Sequence, residues 1–255
     1  RHGHRHRIGS RAQLHMPVHE KKIDYLINGN THEAFMAWDD GAAGARPALL
    51  VSHAWGGRTE FEEDKARWLA SRGYVGFALD MYGKGIRGNS PDENAALMTP
   101  LVENRPELQA RIAAAVDVAR SQDEVDAGRV AAMGYCFGGL CVLDLARTGA
   151  DVAGVISIHG LFIPPGNTAG QSISARVLAL HGWDDPMAEP QSALDLATEL
   201  SAAGADWQLH AYGGTLHAFT NPQANDPEMG TVYSATADGR ATRAIENFLE
   251  ELVPA

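Results

Sequence analysis

The stretch RVAAMGYCFGGLCVLDLARTG, Arg129 to Gly149, constrains this chain more than any other. A short apolar run suited to a buried strand ends in Cys136, with Gly134 two residues before it and Gly138 two residues after it. A long apolar helical pattern follows at once. A strand that turns into a helix through G-x-C-x-G has the form of a nucleophile elbow, a strained turn that lifts one reactive side chain to the end of a sheet. Side chains at the two glycine positions would collide with the adjoining strand and helix. Sulfur held there faces the helix N-terminus, whose free N–H groups and positive dipole end favour a thiolate. The next residue, Phe137, offers its backbone N–H to a developing oxyanion. GYCFGG lacks the G-x-G-x-x-G frame of a dinucleotide site, and no stretch reads G-x-x-x-x-G-K-[ST]. Cys141, the other cysteine, lies inside the helix pattern without such a frame and reads as core packing.

The rest of the chain supplies a scaffold for that turn. KIDYLI and THEAFMAWD flank NGN, a hairpin signal over residues 20–39. ALLVS, YVGFAL, RVAAMG, VAGVISIH, RVLALHG and WQLHAY read as strands. Helical spacing links Phe61, Trp68 and Leu69, then Leu108, Ile112, Ala115, Val116 and Ala119, then residues 190–203, and finally Ala241, Ile245, Phe248, Leu249 and Leu252. DMYGKGIRGNSPDENA reads as a loop. Alternating strands and helices imply an α/β fold: a mainly parallel sheet with helices on both faces, opened by an antiparallel hairpin. No linker splits the chain, so one domain is expected over residues 16–255.

Composition narrows the function. A net charge of -11 argues against a nucleic-acid partner. The longest run of apolar residues and glycines, Val130–Leu143, has 14 residues and is too short to span a bilayer. Two cysteines give no disulfide framework, which suits a reducing, cytoplasmic setting. Residues 1–15 carry four arginines, four histidines and no acid. They read as a disordered extension or a cloning remnant rather than a metal-binding tail or a secretory signal, with Met16 as the expected natural start.

A nucleophile needs a base and an orienting acid, and both follow in chain order. HGWDDP holds Asp184 and Asp185 in the loop after a strand; Asp185 is favoured because it stands three residues after Gly182 and before proline. GGTLHAF places His217 in a loop after the last strand, where it can take the cysteine proton and return it to a leaving group. His53, His159, His181 and His210 are the rival bases, each read first as a hydrogen-bonded core or rim histidine; His159 and His181 end strands on the same side of the sheet and are the two placed to line the pocket instead. The strand end at HAWGG lies beside the elbow, which makes the Trp55 backbone N–H the second oxyanion donor.

These residues together resemble the dienelactone hydrolase family of α/β hydrolases. The likeness rests on HAWGGRTEF, ALDMYGKG, RVAAMGYCFGG, HGWDDP and GGTLHAF and runs from about residue 20 onward. It implies the α/β-hydrolase fold, hydrolysis of small lactones or esters without metal or organic cofactor, and a triad of Cys136, Asp185 and His217. Three departures stand out. A family glutamate that helps ionise the cysteine aligns with Ala54, so activation falls to His217 and the helix dipole unless Glu60 or another nearby acid replaces it. Two family arginines that bind a substrate carboxylate align with Lys84 and Asn221. Arg58 and Arg87, in neighbouring loops, read first as solvated loop charges, with restoration of an anion site as the alternative. The expected function is hydrolysis of a small-molecule ester or lactone. A non-catalytic binding protein of the same fold and an acyltransferase are the alternatives, and the sequence leaves the oligomeric state open.

Overall fold

A computed structural model describes residues 18–41 and 44–255; the expectation for the N-terminal tail lies outside the described residues. The chain begins with β1 (Val18–Ile27) and β2 (Asn30–Asp39), paired antiparallel in register from Val18 opposite Asp39 to Ile27 opposite Asn30. Asn28 and Gly29 join them at φ 49° and 80°. Two positive φ values in succession are what a tight hairpin turn requires, and Asn-Gly supplies them at low strain.

Then follow β3 (Arg46–Ser52), α1 (Glu60–Ser71), β4 (Val75–Ala78), α2 (Pro91–Val102) and α3 (Arg105–Arg120). The elbow joins β5 (Val125–Tyr135) to α4 (Phe137–Arg147). After these come β6 (Gly154–Ile158), β7 (Arg176–Gly182), α5 (Pro190–Ala202), β8 (Trp207–Tyr212), the two-residue β9 (Asn225–Asp226) and β10 (Thr231–Val232), and α6 (Ala235–Leu252). The main sheet runs β1-β2-β4-β3-β5-β6-β7-β8, parallel from β4 onward. Side chains of the central strands alternate between two apolar layers. Leu50, Ala132, Val155 and Val177 pack with α3, α4 and α5, while Leu49, Met133, Ile156 and Leu178 pack with α1 and α6. Covering both faces explains why these strands read as continuous apolar runs. No described helix is long and apolar enough to cross a membrane.

The segment read as a loop contains the start of α2. Ser90 caps it, its hydroxyl accepting from the Glu93 N–H at 3.2 Å, and Pro91 opens it. Leu101 is its one buried residue, so the helix carries almost no apolar periodicity to read. Beneath it, Asp144 of α4 is fully buried and takes Arg105 of α3 at 2.9 Å and Arg147 at 3.3 Å; Arg147 also reaches Glu199 of α5 at 2.8 Å. This ionic cluster ties three helices together.

Candidate active site

The carboxyl ends of β3, β5, β6 and β7 converge where a doubly covered sheet ordinarily binds ligands. Cys136 sits there at φ 57° and ψ -116°. Its N–H donates to the Ile158 carbonyl at 3.1 Å, and its carbonyl accepts from Gly139 N–H at 2.9 Å. A Cβ at Gly134 would drive into the Gly138 backbone, and one at Gly138 into the Ser52 backbone. The two glycines are therefore the condition for β5, α4 and β3 to approach closely enough to form the turn.

His217 lies in the loop after β8. The backbone bonds of β10 clamp it: its N–H donates to the Gly230 carbonyl at 2.9 Å, and its carbonyl accepts from Val232 N–H at 3.2 Å. Its Nδ1 meets Asp185 Oδ2 at 2.6 Å, with both side chains almost fully buried. The other Asp185 oxygen accepts from the Met187 N–H at 2.8 Å. Asp184 is exposed and makes no such contact. Burial pushes the His217 imidazole toward its neutral form. The Cys136 sulfur and the Asp185 carboxylate together outweigh burial and raise its pKa to about 10. The folded site therefore favours the protonated ring, whose Nε2 is buried with no hydrogen-bond partner among the described residues.

Cys136 and His217 line one cavity of about 250 Å³ with Ala54, Trp55, Phe61, Glu62 and His159. Three of the four described non-glycine residues with positive φ, Cys136, His159 and Ala218, lie in its wall; the fourth is Asn28 of the hairpin. Strained backbone gathers at functional sites because only a surrounding packed structure holds it.

The loop after β3 is held from beneath by His53. Met81 N–H donates to its Nε2 at 3.0 Å, which leaves Nδ1–H to donate to the Ala54 carbonyl at 2.7 Å. Burial pushes His53 down to about 4, so it stays neutral and keeps this tautomer. Tyr82 donates its hydroxyl to the Trp55 carbonyl at 2.7 Å, which orients that peptide. Phe137, first residue of α4, keeps an N–H that the helix does not use.

The remaining expected site residues divide. Asn221 lines the cavity and His159 does as well. His181 is buried outside it against Phe162 and Trp183, and His210 lies on β8. Lys84 does not reach the cavity, because Asp24 takes its ammonium at 2.8 Å on the protein surface. Arg87 is also outside, bonded to the Ile86 carbonyl at 3.1 Å. Arg58 is neither an anion site nor a solvated charge: it is buried between Glu33 at 2.7 Å and Glu63 at 2.6 Å. Glu60 faces a separate hollow beside Lys65 and Trp68.

Sequence reasoning passed over Glu62. Its carboxyl lines the cavity and accepts from Thr59 N–H at 2.8 Å and Thr59 Oγ1 at 3.0 Å, closing a capping box at the start of α1. Burial raises its pKa to about 7 against the opposing pull of those donors. The T-x-x-E spacing of Thr59 and Glu62 was the available signal.

Fold and site define an α/β hydrolase. The family model of the dienelactone hydrolase family matches residues 33–253. The carboxymethylenebutenolidase of Pseudomonas sp. (strain P51) is 33% identical over 213 residues, covering 81% of this chain and 87% of the relative. The crystal structure of P91, a dienelactone hydrolase-like promiscuous phosphotriesterase from metagenomic libraries, superposes with a TM-score of 0.87 at 32% identity, covering 92% of this chain and 99% of P91. A thermophilic esterase from Thermogutta terrifontis shares the fold at a TM-score of 0.66 and 16% identity, covering 91% of this chain and 93% of the esterase. The chain belongs to the dienelactone hydrolase family and is a hydrolase of the carboxylic ester and lactone class.

Proposed function

We propose that this enzyme hydrolyses small, uncharged lactones or carboxylic esters through an acyl-enzyme on Cys136. The observation that carries the reading is the 2.6 Å bond between His217 and Asp185, with His217 sharing one cavity with the elbow cysteine. The sulfur attacks the carbonyl carbon, and the oxyanion is held by the N–H groups of Phe137 and Trp55. His217 gives its proton to the leaving alcohol oxygen as the C–O bond breaks. Water then adds to the thioester carbon while its proton passes to His217. Collapse breaks the C–S bond, the acid leaves, and the thiolate–imidazolium pair returns. Asp185 keeps the ring in the required tautomer.

The cavity supports uncharged substrates. No lysine or arginine is among its described lining residues, whereas Trp55, Phe61, Met98, Leu161 and Met187 give it apolar walls. A substrate carboxylate would have Asn221 to meet it in place of a cation. Turnover of a panel of lactones and short esters, with carboxylate-bearing lactones and a phosphotriester such as the P91 class of substrate, tests this. Neutral esters and lactones should be turned over by wild type and Cys141→Ala and not by Cys136→Ala. Equal losses in both cysteine variants, or preference for the carboxylate-bearing lactones, would overturn it.

A further inference from the structure

The chain leaves the sheet after β3, so the peptide groups of residues 54–56 have no strand to pair with and side chains hold them instead. The Ala54 carbonyl accepts from His53 Nδ1 at 2.7 Å and from the Gly57 N–H at 3.2 Å. The Trp55 carbonyl accepts from the Tyr82 hydroxyl at 2.7 Å. His53 is itself set by the Met81 N–H, which donates to its Nε2 at 3.0 Å. The Ala54 N–H is drawn to the Glu62 carboxyl. Between these held groups, the Trp55 N–H donates to nothing among the described residues. Trp55 lines the catalytic cavity, whereas neither His53 nor Tyr82 does.

A peptide group is planar, so fixing its carbonyl fixes the N–H at its other end. The Ala54 carbonyl shares its plane with the Trp55 N–H, and the Trp55 carbonyl belongs to the next plane. Holding both carbonyls sets the two planes that meet at the Trp55 Cα and stops the loop from turning that N–H away. The same two rings brace the second donor. Tyr82 stacks on Phe137 with centroids 5.8 Å apart and planes at 17°, and His53 packs against Phe137 at 6.2 Å and against Tyr82 at 4.8 Å. His53 and Phe137 are fully buried, and Tyr82 is 8% exposed. Burial first, and then the sulfurs of Cys141 and Cys136, hold the Tyr82 phenol well above its usual range, so it stays a donor.

We propose that His53 and Tyr82 are positioning residues for the oxyanion hole: they grip the carbonyls on either side of the Trp55 Cα and so aim the Trp55 N–H at the oxygen that becomes negative. This rests on the acyl-enzyme reading of Cys136. As the sulfur bonds to the carbonyl carbon, the π pair of the C=O bond moves onto its oxygen, which accepts from the Trp55 and Phe137 N–H groups. The pair returns when the bond to the leaving oxygen breaks. Attack of water on the thioester repeats the sequence, with the C–S bond breaking at its end. Donation from His53 to the Ala54 carbonyl also polarises that amide and strengthens its N–H as a donor. Neither side chain exchanges a proton. Acylation and deacylation both pass through an oxyanion, so the two residues serve both steps alike.

Rapid mixing of the full chain with p-nitrophenyl acetate reads acylation as the rate of the nitrophenol burst and deacylation as loss of the acetyl mass from Cys136. Alkylation of Cys136 by iodoacetamide is the control, because that displacement at a saturated carbon forms no oxyanion. Tyr82→Phe removes one oxygen and keeps the ring stack. It should slow acylation and deacylation by similar factors, roughly tenfold to a hundredfold, while KM and the alkylation rate stay within about twofold. His53→Gln, whose carbonyl reaches the place of Nε2 and keeps an acceptor for Met81, should do the same. His53→Asn, whose amide reaches the place of Nδ1 and keeps a donor for Ala54, should recover part of the rate. Tyr82→Phe decides the matter alone if the His53 variants do not fold. Unchanged acylation in Tyr82→Phe, or alkylation slowed as much as acylation, overturns the positioning role while leaving the triad standing. No acetyl on Cys136 in the wild-type protein overturns the acyl-enzyme reading and the positioning role together.

Discussion

Glu62 is the group whose removal gives the most quantitative test of the site's electrostatics. Burial raises its pKa from 4.5 to about 7, so the folded protein favours the protonated carboxyl and the unfolded chain releases the proton more readily. A raised acid contributes its stability at low pH, and that contribution is lost as pH rises from the unfolded value through the folded one. At about 1.4 kcal/mol per pH unit, the rise corresponds to about 3 kcal/mol lost between pH 4.5 and pH 8. Glu62→Gln keeps an acceptor for Thr59 and does not titrate. Urea unfolding of both proteins across this range isolates the effect, because every other group is common to the two. The variant should gain on wild type by about 3 kcal/mol from the acid end to the alkaline end. A flat difference, or wild type gaining on the variant as pH rises, would refute the reasoning and show that the capping donors, rather than burial, set the charge of Glu62.

Three further outcomes follow from the geometry. Asp185→Asn should lower kcat by on the order of 10^4, whereas Asp184→Asn should leave it nearly unchanged; the reverse ranking would move the acid's role to Asp184. His217→Ala should slow alkylation of Cys136 by iodoacetamide at neutral pH by about tenfold or more, because the cation beside the sulfur is gone; an unchanged rate would assign activation to another residue. Asp144→Ala should cost about 3–5 kcal/mol in urea unfolding, since it leaves Arg105 and Arg147 buried without their shared carboxylate, and a loss under about 1 kcal/mol would show that the cluster is not a structural tie.

Local physics made some features legible and hid others. The hairpin was readable because Asn28 and Gly29 have one low-strain use, and β7 and β8 were readable to the residue from their apolar runs. The elbow was readable because Gly134 and Gly138 answer a steric demand. Asp185 and His217 could be named from chain order, but their contact depends on distant backbone. The β10 strand that clamps His217 has two residues and no periodicity. Lys84 was misplaced for a related reason: its partner Asp24 stands 60 residues earlier, and pairing at that range leaves no mark in the local sequence. Glu62 was passed over because a glutamate in the first turn of a helix is ordinarily a solvated cap, and only the packing of α1 against the cavity turns it inward.

The central claim is that Cys136 carries the acyl group. Rapid acid quench of the enzyme with a chromogenic ester, followed by peptide mapping by mass, tests it most directly. The account predicts the acyl mass on the peptide containing Cys136, formed at the rate of the burst and absent from Cys136→Ala. The acyl group on any other residue, or undiminished turnover in Cys136→Ala, would contradict it.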